Sequence, residues 1–121
     1  MTDRIAVLVV EDEPLILLDV VFQLEAEGFR VYEATNADIA IELLIAHSDI
    51  RVVFTDIDMP GSMDGLKLAA AVRDRWPPVR IIVTSGRRPA GEAELPIGSV
   101  FFRKPYEHKS IAQSIRDMTA R

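Results

Sequence analysis

At four places in the chain, reactive side chains stand at the end of a short apolar run. Glu11, Asp12 and Glu13 follow Ile5–Val10, and Asp56 and Asp58 follow Ile50–Thr55. Thr84, Ser85 and Gly86 close the run that begins at Arg80, and Arg103, Lys104 and Pro105 follow Val100–Phe102. Gathered in one place, Glu11, Asp12 and Asp56 carry a formal charge of −3. At about 4 Å and an effective dielectric near 20, each like-charge pair costs roughly 4 kcal/mol. Such a cluster either raises carboxylate pKa values or recruits a cation. Oxygen-only donors with room for water suit Mg²⁺ better than zinc or copper. Mg²⁺ and the Lys104 ammonium together would balance the three carboxylates. A single carboxylate at the end of a strand is as often ordinary loop solvation; the argument for a site rests on all of them converging.

Convergence requires elements that deliver these residues to one edge. Ile5–Val10 is β-branched and apolar throughout, as a strand covered on both faces should be. Pro14 suits the first turn of a helix in which Leu15, Leu18, Phe22 and Glu25 follow at helical spacing, with a stop at Gly28. Phe29–Glu33 reads as a second strand, and Asn36 as the N-cap of a helix with Ile39, Ala40, Leu43 and Leu44 on one face. Ile50–Thr55 is a third strand, and a helix from about Asp64 to Trp76 is stopped by Pro77–Pro78. Arg80–Thr84 and Val100–Phe102 are the fourth and fifth strands. Ile111, Ile115 and Met118 mark the buried stripe of a last helix. Alternation of this kind predicts an α/β domain, a doubly wound parallel sheet with helices on both faces. Ligands of such sheets bind outside the carboxyl ends of the strands, where the reactive residues lie. Between the last two strands, Gly86, Pro89, Gly91, Pro96 and Gly98 oppose a helix. A mostly irregular crossover is expected there, with at most one turn around Glu92–Leu95.

Composition narrows the function classes. The 121 residues suit a single domain over 1–121, with no room for an output domain. Cysteine is absent, which excludes disulfide scaffolds, thiol nucleophiles and Cys-based zinc sites. No apolar run is long enough for a signal-peptide core or a membrane span, so a cytoplasmic location is expected. The net charge of −5 argues against general nucleic-acid affinity. It is unevenly spread: residues 1–60 hold 13 acids and 3 bases, and residues 61–121 hold 6 acids and 11 bases.

In chain order, Val9-Val10-Glu11-Asp12-Glu13, Asp56-Ile57-Asp58-Met59-Pro60, Met63-Asp64-Gly65, Thr84-Ser85-Gly86 and Lys104-Pro105 resemble the receiver domain of bacterial two-component response regulators, over essentially the whole length. The resemblance implies a flavodoxin-like (βα)5 three-layer sandwich with strand order 2-1-3-4-5, its fourth helix here short or replaced by loop. It also implies a role for each matching position. Asp56 would be the phosphoacceptor, Asp12 a direct Mg²⁺ ligand, and Glu11 the second acid, acting largely through water. Asp58 would offer its backbone carbonyl to the metal, and Lys104 would contact the phosphoryl group. Ser85 would be the switch hydroxyl, with Thr84 as the alternative one register away, and Phe101 the switch aromatic.

These roles imply phosphoryl transfer from a sensor histidine kinase or a histidine phosphotransfer protein to Asp56, with signalling to a further, unidentified protein. The chain would then be a phosphoacceptor rather than an enzyme, with at most slow self-dephosphorylation. It would contact neither nucleic acid nor membrane, and would be a monomer or weak dimer. No GxxxxGK[ST] loop supplies a nucleotide. A receiver module of a hybrid kinase or longer regulator would look the same. Asp56-Ile57-Asp58 also resembles the DxD pair of haloacid-dehalogenase phosphohydrolases, but that family carries it after the first strand. A flavodoxin-type cofactor binder would lack its phosphate loop, since Glu11 and Asp12 would repel a phosphate.

The loop Pro60–Gly65 is one residue longer than the commonest receiver form, and Arg87 and Arg88 beside Pro89 disturb the usual signalling face. Without that helix, signalling would favour the first helix and its neighbouring loops. His47, His108 and Glu13 are expected at the solvated surface. Trp76 is expected to pack at a helix end, and Arg73, Arg75, Arg80, Arg87 and Arg88 to form a solvated basic face.

Overall fold

A computed structural model describes residues 4–58, 64–86, 95–96 and 98–120. Five parallel strands form one sheet: β1 (Ala6–Val10), β2 (Arg30–Ala34), β3 (Ile50–Asp56), β4 (Arg80–Ser85) and β5 (Val100–Arg103). Their spatial order is β2-β1-β3-β4-β5, as expected. Four helices are described: α1 (Pro14–Ala26), α2 (Ala37–Ala46), α3 (Gly65–Arg75) and α4 (His108–Thr119). The chain reverses direction across the sheet between β1 and β3, so the carboxyl ends of these two strands flank a crevice.

The alternation of side chains along each strand divides the core into two layers. Val7, Val9, Val52, Phe54 and Ile82 pack against Leu17, Leu24, Ile111 and Ile115 of α1 and α4. Leu8, Val10, Val53, Ile81 and Val83 pack against α2 and α3 on the other face. Every residue of β1 is buried, which explains its unbroken apolar run. Local signals set the helix ends. Pro14 occupies the first turn of α1. Asn36 Oδ1 accepts from the Ile39 amide at 2.8 Å, and Asp64 Oδ1 from the Lys67 amide at 2.9 Å.

Several expectations need correction. The α1 stripe of Leu15, Leu18 and Phe22 faces outward, at 81%, 64% and 68% exposure. The buried stripe is Leu17, Val20, Val21 and Leu24. Both stripes have helical spacing, so periodicity alone did not choose between them. His47 is half-buried and stacks on Tyr32, with ring centroids 4.4 Å apart. His108 is also half-buried, with Nε2 3.4 Å from Asp19 Oδ2. Strand β2 runs one residue later than read, and Trp76 caps α3 rather than continuing it. Trp76 packs on the core as expected, under the Arg75 guanidinium. Arg73, Arg75 and Arg80 are exposed. The expected turn at Glu92–Leu95, the lengthened loop and Arg87–Arg88 lie wholly or largely outside the described residues. Among the described residues, no helix lies between β4 and β5, and none is long and apolar enough to cross a membrane.

Candidate phosphoryl-transfer site

Backbone hydrogen bonds align the ends of the five strands at this edge. The Glu11 amide donates to Ala34 O, the Ile57 amide to Thr84 O at 2.8 Å, and the Lys104 amide to Ser85 O at 3.0 Å. Gly65 brings the start of α3 against the end of β3, its amide donating to Ile57 O. A Cβ on Gly65 would lie 2.0 Å from Asp56 O, so only glycine permits this approach. A Cβ on Gly86 would lie 3.4 Å from Lys104 Cβ, an ordinary van der Waals contact, so Gly86 lies beside the lysine stem.

Within this frame Glu11, Asp12 and Asp56 each place a carboxylate oxygen within 4.8 Å of the others. Glu11 and Asp56 are buried and Asp12 is half-buried. Lys104 Nζ donates to Asp56 Oδ2 at 2.7 Å and to Glu11 Oε1 at 3.4 Å. The Asp58 amide donates to Asp56 Oδ1 at 2.9 Å, and the Glu13 amide to Glu11 Oε2 at 3.1 Å. Burial raises the Glu11 pKa above its ordinary 4.5, and the Asp56 charge adds to the rise; the Glu13 amide and Lys104 offset only part of it. Burial pulls Lys104 down, yet the hydrogen bond and charge of Asp56, together with Glu11, outweigh it and leave Lys104 above 10.5. One ammonium thus faces three carboxylates, an excess of negative charge formed by hard oxygen donors. The donor set fits a divalent cation such as Mg²⁺.

Ser85 and Thr84 point to opposite sides of the sheet. Ser85 is buried and its hydroxyl donates to Asp58 Oδ2 at 2.7 Å. Thr84 Oγ1 is buried without a hydrogen-bond partner among the described residues. Phe101 pairs in register with Val83 and packs half-buried against the α2–α3 layer, on the same side as Ser85. Glu13 is exposed as expected.

Two neighbours of the site escaped the sequence reading. Tyr106 lies edge-on to Phe54, and burial pushes its hydroxyl up to about 12. Its position directly after Lys104-Pro105 was the available signal. The other is the contact of the Asp58 carboxylate with Ser85, since the resemblance implies a role only for the Asp58 backbone carbonyl. The Lys104–Pro105 peptide is cis.

A parallel sheet in the order β2-β1-β3-β4-β5 with helices on both faces is the flavodoxin-like fold, here with three carboxylates, a lysine and a hydroxyl at its carboxyl edge. Residues 7–116 match the response regulator receiver domain, and the chain belongs to that family, the phosphoaccepting modules of two-component signalling. It is 31% identical over 116 residues to the sensor kinase CckA of Brucella abortus, covering 93% of this chain and 12% of that protein. It is 32% identical over 107 residues to the nitrogen assimilation regulatory protein NtrX of Azorhizobium caulinodans, covering 83% of this chain and 23% of that one. The chain therefore spans a quarter or less of these curated relatives. Among solved structures, a receiver protein from Sinorhizobium medicae superimposes with a TM-score of 0.88 at 26% identity, covering 96% of this chain and 94% of that one. The receiver domain of the hybrid histidine kinase CckA gives 0.75 at 28% identity, with 93% and 97% covered.

Proposed function

We propose that Asp56 accepts a phosphoryl group from a phosphohistidine on a sensor kinase or a histidine phosphotransfer protein. The observation that carries this reading is the 2.7 Å contact between Lys104 Nζ and Asp56 Oδ2 inside the buried carboxylate cluster. An Asp56 oxygen attacks phosphorus, the P–N bond breaks, and the imidazole leaves and keeps or gains a proton, giving an acyl phosphate on Asp56. The Lys104 ammonium follows the transferred oxygens and offsets their charge. Glu11, Asp12, Asp56 and the Asp58 carbonyl would hold Mg²⁺. When bound, the cation supplies charge neutralisation at the phosphoryl oxygens. The product adds roughly −1.5 to −2 of charge and three acceptor oxygens. Ser85 and Phe101 respond to it, and a signalling surface shifts.

The donor protein docks on α1. Leu15, Leu18 and Phe22 form an exposed ridge, and a groove runs from Leu15 and Ile16 past Pro105 and Tyr106 to Lys104. Asp19 lines this groove and Glu13, exposed, directly precedes α1, which calls for a donor helix with an apolar stripe beside basic residues. The chain acts as one receiver domain over 1–121 in the cytoplasm. It turns over its acyl phosphate slowly at most, and signals as a monomer or weak dimer to a protein rather than to nucleic acid or membrane. A receiver module of a hybrid kinase is equally served by this site, and the match to one segment of CckA favours keeping that reading.

Mass spectrometry after incubation with phosphoramidate and Mg²⁺ tests the acceptor. One phosphoryl group on the native sequence and none on Asp56→Asn is expected; equal labelling of both refutes the assignment. Leu18→Ser with Phe22→Ser should slow transfer from a phosphorylated kinase at least about tenfold while leaving phosphoramidate labelling unchanged. Equal loss with both donors would place the effect in the fold rather than in docking.

A further inference from the structure

We propose that Asp58 is a positioning residue which holds the Ser85 hydroxyl away from the acceptor in the resting protein. The inference rests on the phosphoacceptor reading of Asp56. Asp58 touches both ends of the machinery. Its backbone amide donates to Asp56 Oδ1 at 2.9 Å and aims the acceptor carboxylate. Its carboxylate accepts from Ser85 Oγ at 2.7 Å, a short charge-assisted hydrogen bond.

The Asp58 carboxylate draws the Ser85 hydroxyl onto itself. On β3 and β4, residues 53 and 83 pack with the α2–α3 layer and residues 54 and 82 with the α1–α4 layer. By strand alternation Ser85 shares the side of Val83, and Asp56 shares the side of Phe54. A hydroxyl in that position meets a phosphoryl oxygen on Asp56 only by leaving Asp58. Ser85 O accepts from the Lys104 amide and Thr84 O from the Ile57 amide, which ties this end of β4 to its neighbours. The exchange gives up one hydrogen bond to an anion for another. The strength of the Asp58 contact sets how much of the resting population has its hydroxyl ready for the phosphoryl group. A binding-competent fraction below one weakens apparent affinity by that fraction.

The probe is beryllofluoride, a phosphoryl mimic, titrated with Mg²⁺ against four proteins: native, Asp58→Ala, Ser85→Ala and the double variant. Asp58→Ala should tighten apparent binding about tenfold when Ser85 is present and less than about twofold when it is alanine. Asp58→Asn, which keeps an acceptor but no charge, should fall between. Thermal denaturation of each variant in chelator separates loss of fold from loss of the contact. Equal tightening in both backgrounds would show that Asp58 acts through its charge alone and would overturn the proposal. No tightening in either background overturns it as well. If the native protein neither binds beryllofluoride nor labels at Asp56, the acceptor reading itself fails, and the positioning role with it.

Discussion

Replacing Lys104 with methionine removes the only cation in contact with two buried carboxylates among the described residues, while keeping most of the side-chain volume. At an effective dielectric near 20, the attraction is about 6 kcal/mol across the 2.7 Å contact with Asp56 and about 5 kcal/mol across the 3.4 Å contact with Glu11. Most of this is cancelled by the desolvation of the three ions, which costs several kcal/mol each. The Lys104 side chain is 23% exposed, so water can partly replace it. A net loss of about 3 kcal/mol remains, at the lower end for a broken buried pair. For a chain of this length that is a fall of roughly 10 °C in Tm.

The pH dependence has a definite sign. The folded pKa of Glu11 is raised above 4.5, so its protonated form favours the folded state. That stability is fully present below 4.5 and is lost as pH rises through the folded pKa. Removing Lys104 raises Glu11 further, so the penalty of Lys104→Met should be largest near pH 8 and shrink towards pH 5. Lys104 itself has a raised folded pKa, and its contribution is lost only as pH climbs past 10.5 and through the raised value. Urea denaturation followed by circular dichroism, in chelator and low salt at pH 5 and pH 8, measures both effects. A loss below about 0.5 kcal/mol at pH 8, or a penalty that grows on acidification, would refute the electrostatic account.

Two further outcomes follow from the same geometry. Asp12→Ala should leave the metal-free protein as stable or more stable, because one member of the like-charge cluster is gone. Calorimetry should show Mg²⁺ stabilising the native chain by about 2.7 kcal/mol at a hundredfold excess over Kd, and should show that gain lost in the variant. Gly65→Ala would gain about 1 kcal/mol by helix propensity, but its Cβ would meet Asp56 O at 2.0 Å and Ile57 Cα at 2.6 Å. Neither atom can move without shifting the acceptor, so urea titration should show a loss of about 2–3 kcal/mol; a gain would contradict the close approach.

Much of this protein is legible locally. The unbroken β-branched run of β1 requires cover on both faces, and Asn36 caps the helix it precedes through a contact three residues away. Glu11, Asp12, Asp56 and Lys104 stand directly after strand segments, and in a parallel sheet all such positions share one edge. That is why a sequence reading brings them together correctly. The strand order is implied by the family resemblance, not by the residues themselves.

Other features depend on choices that no local window contains. The α1 sequence carries two apolar stripes at helical spacing. Packing against β1 and α4 selected Leu17, Val20, Val21 and Leu24 and turned Leu15, Leu18 and Phe22 outward. The rise in the Glu11 pKa needs burial and the approach of Asp56; Lys104, from a distant part of the chain, offsets part of it. The contact between Ser85 and Asp58 depends on the register that sets Asp56 opposite Thr84. Shifting that register by one residue would turn each side chain to the other face. Residue types and their order thus determine which groups reach the edge of the sheet. Only the pairing of strands and the packing of helices decide which side each group faces and what it touches, because those are long-range choices between locally equivalent arrangements.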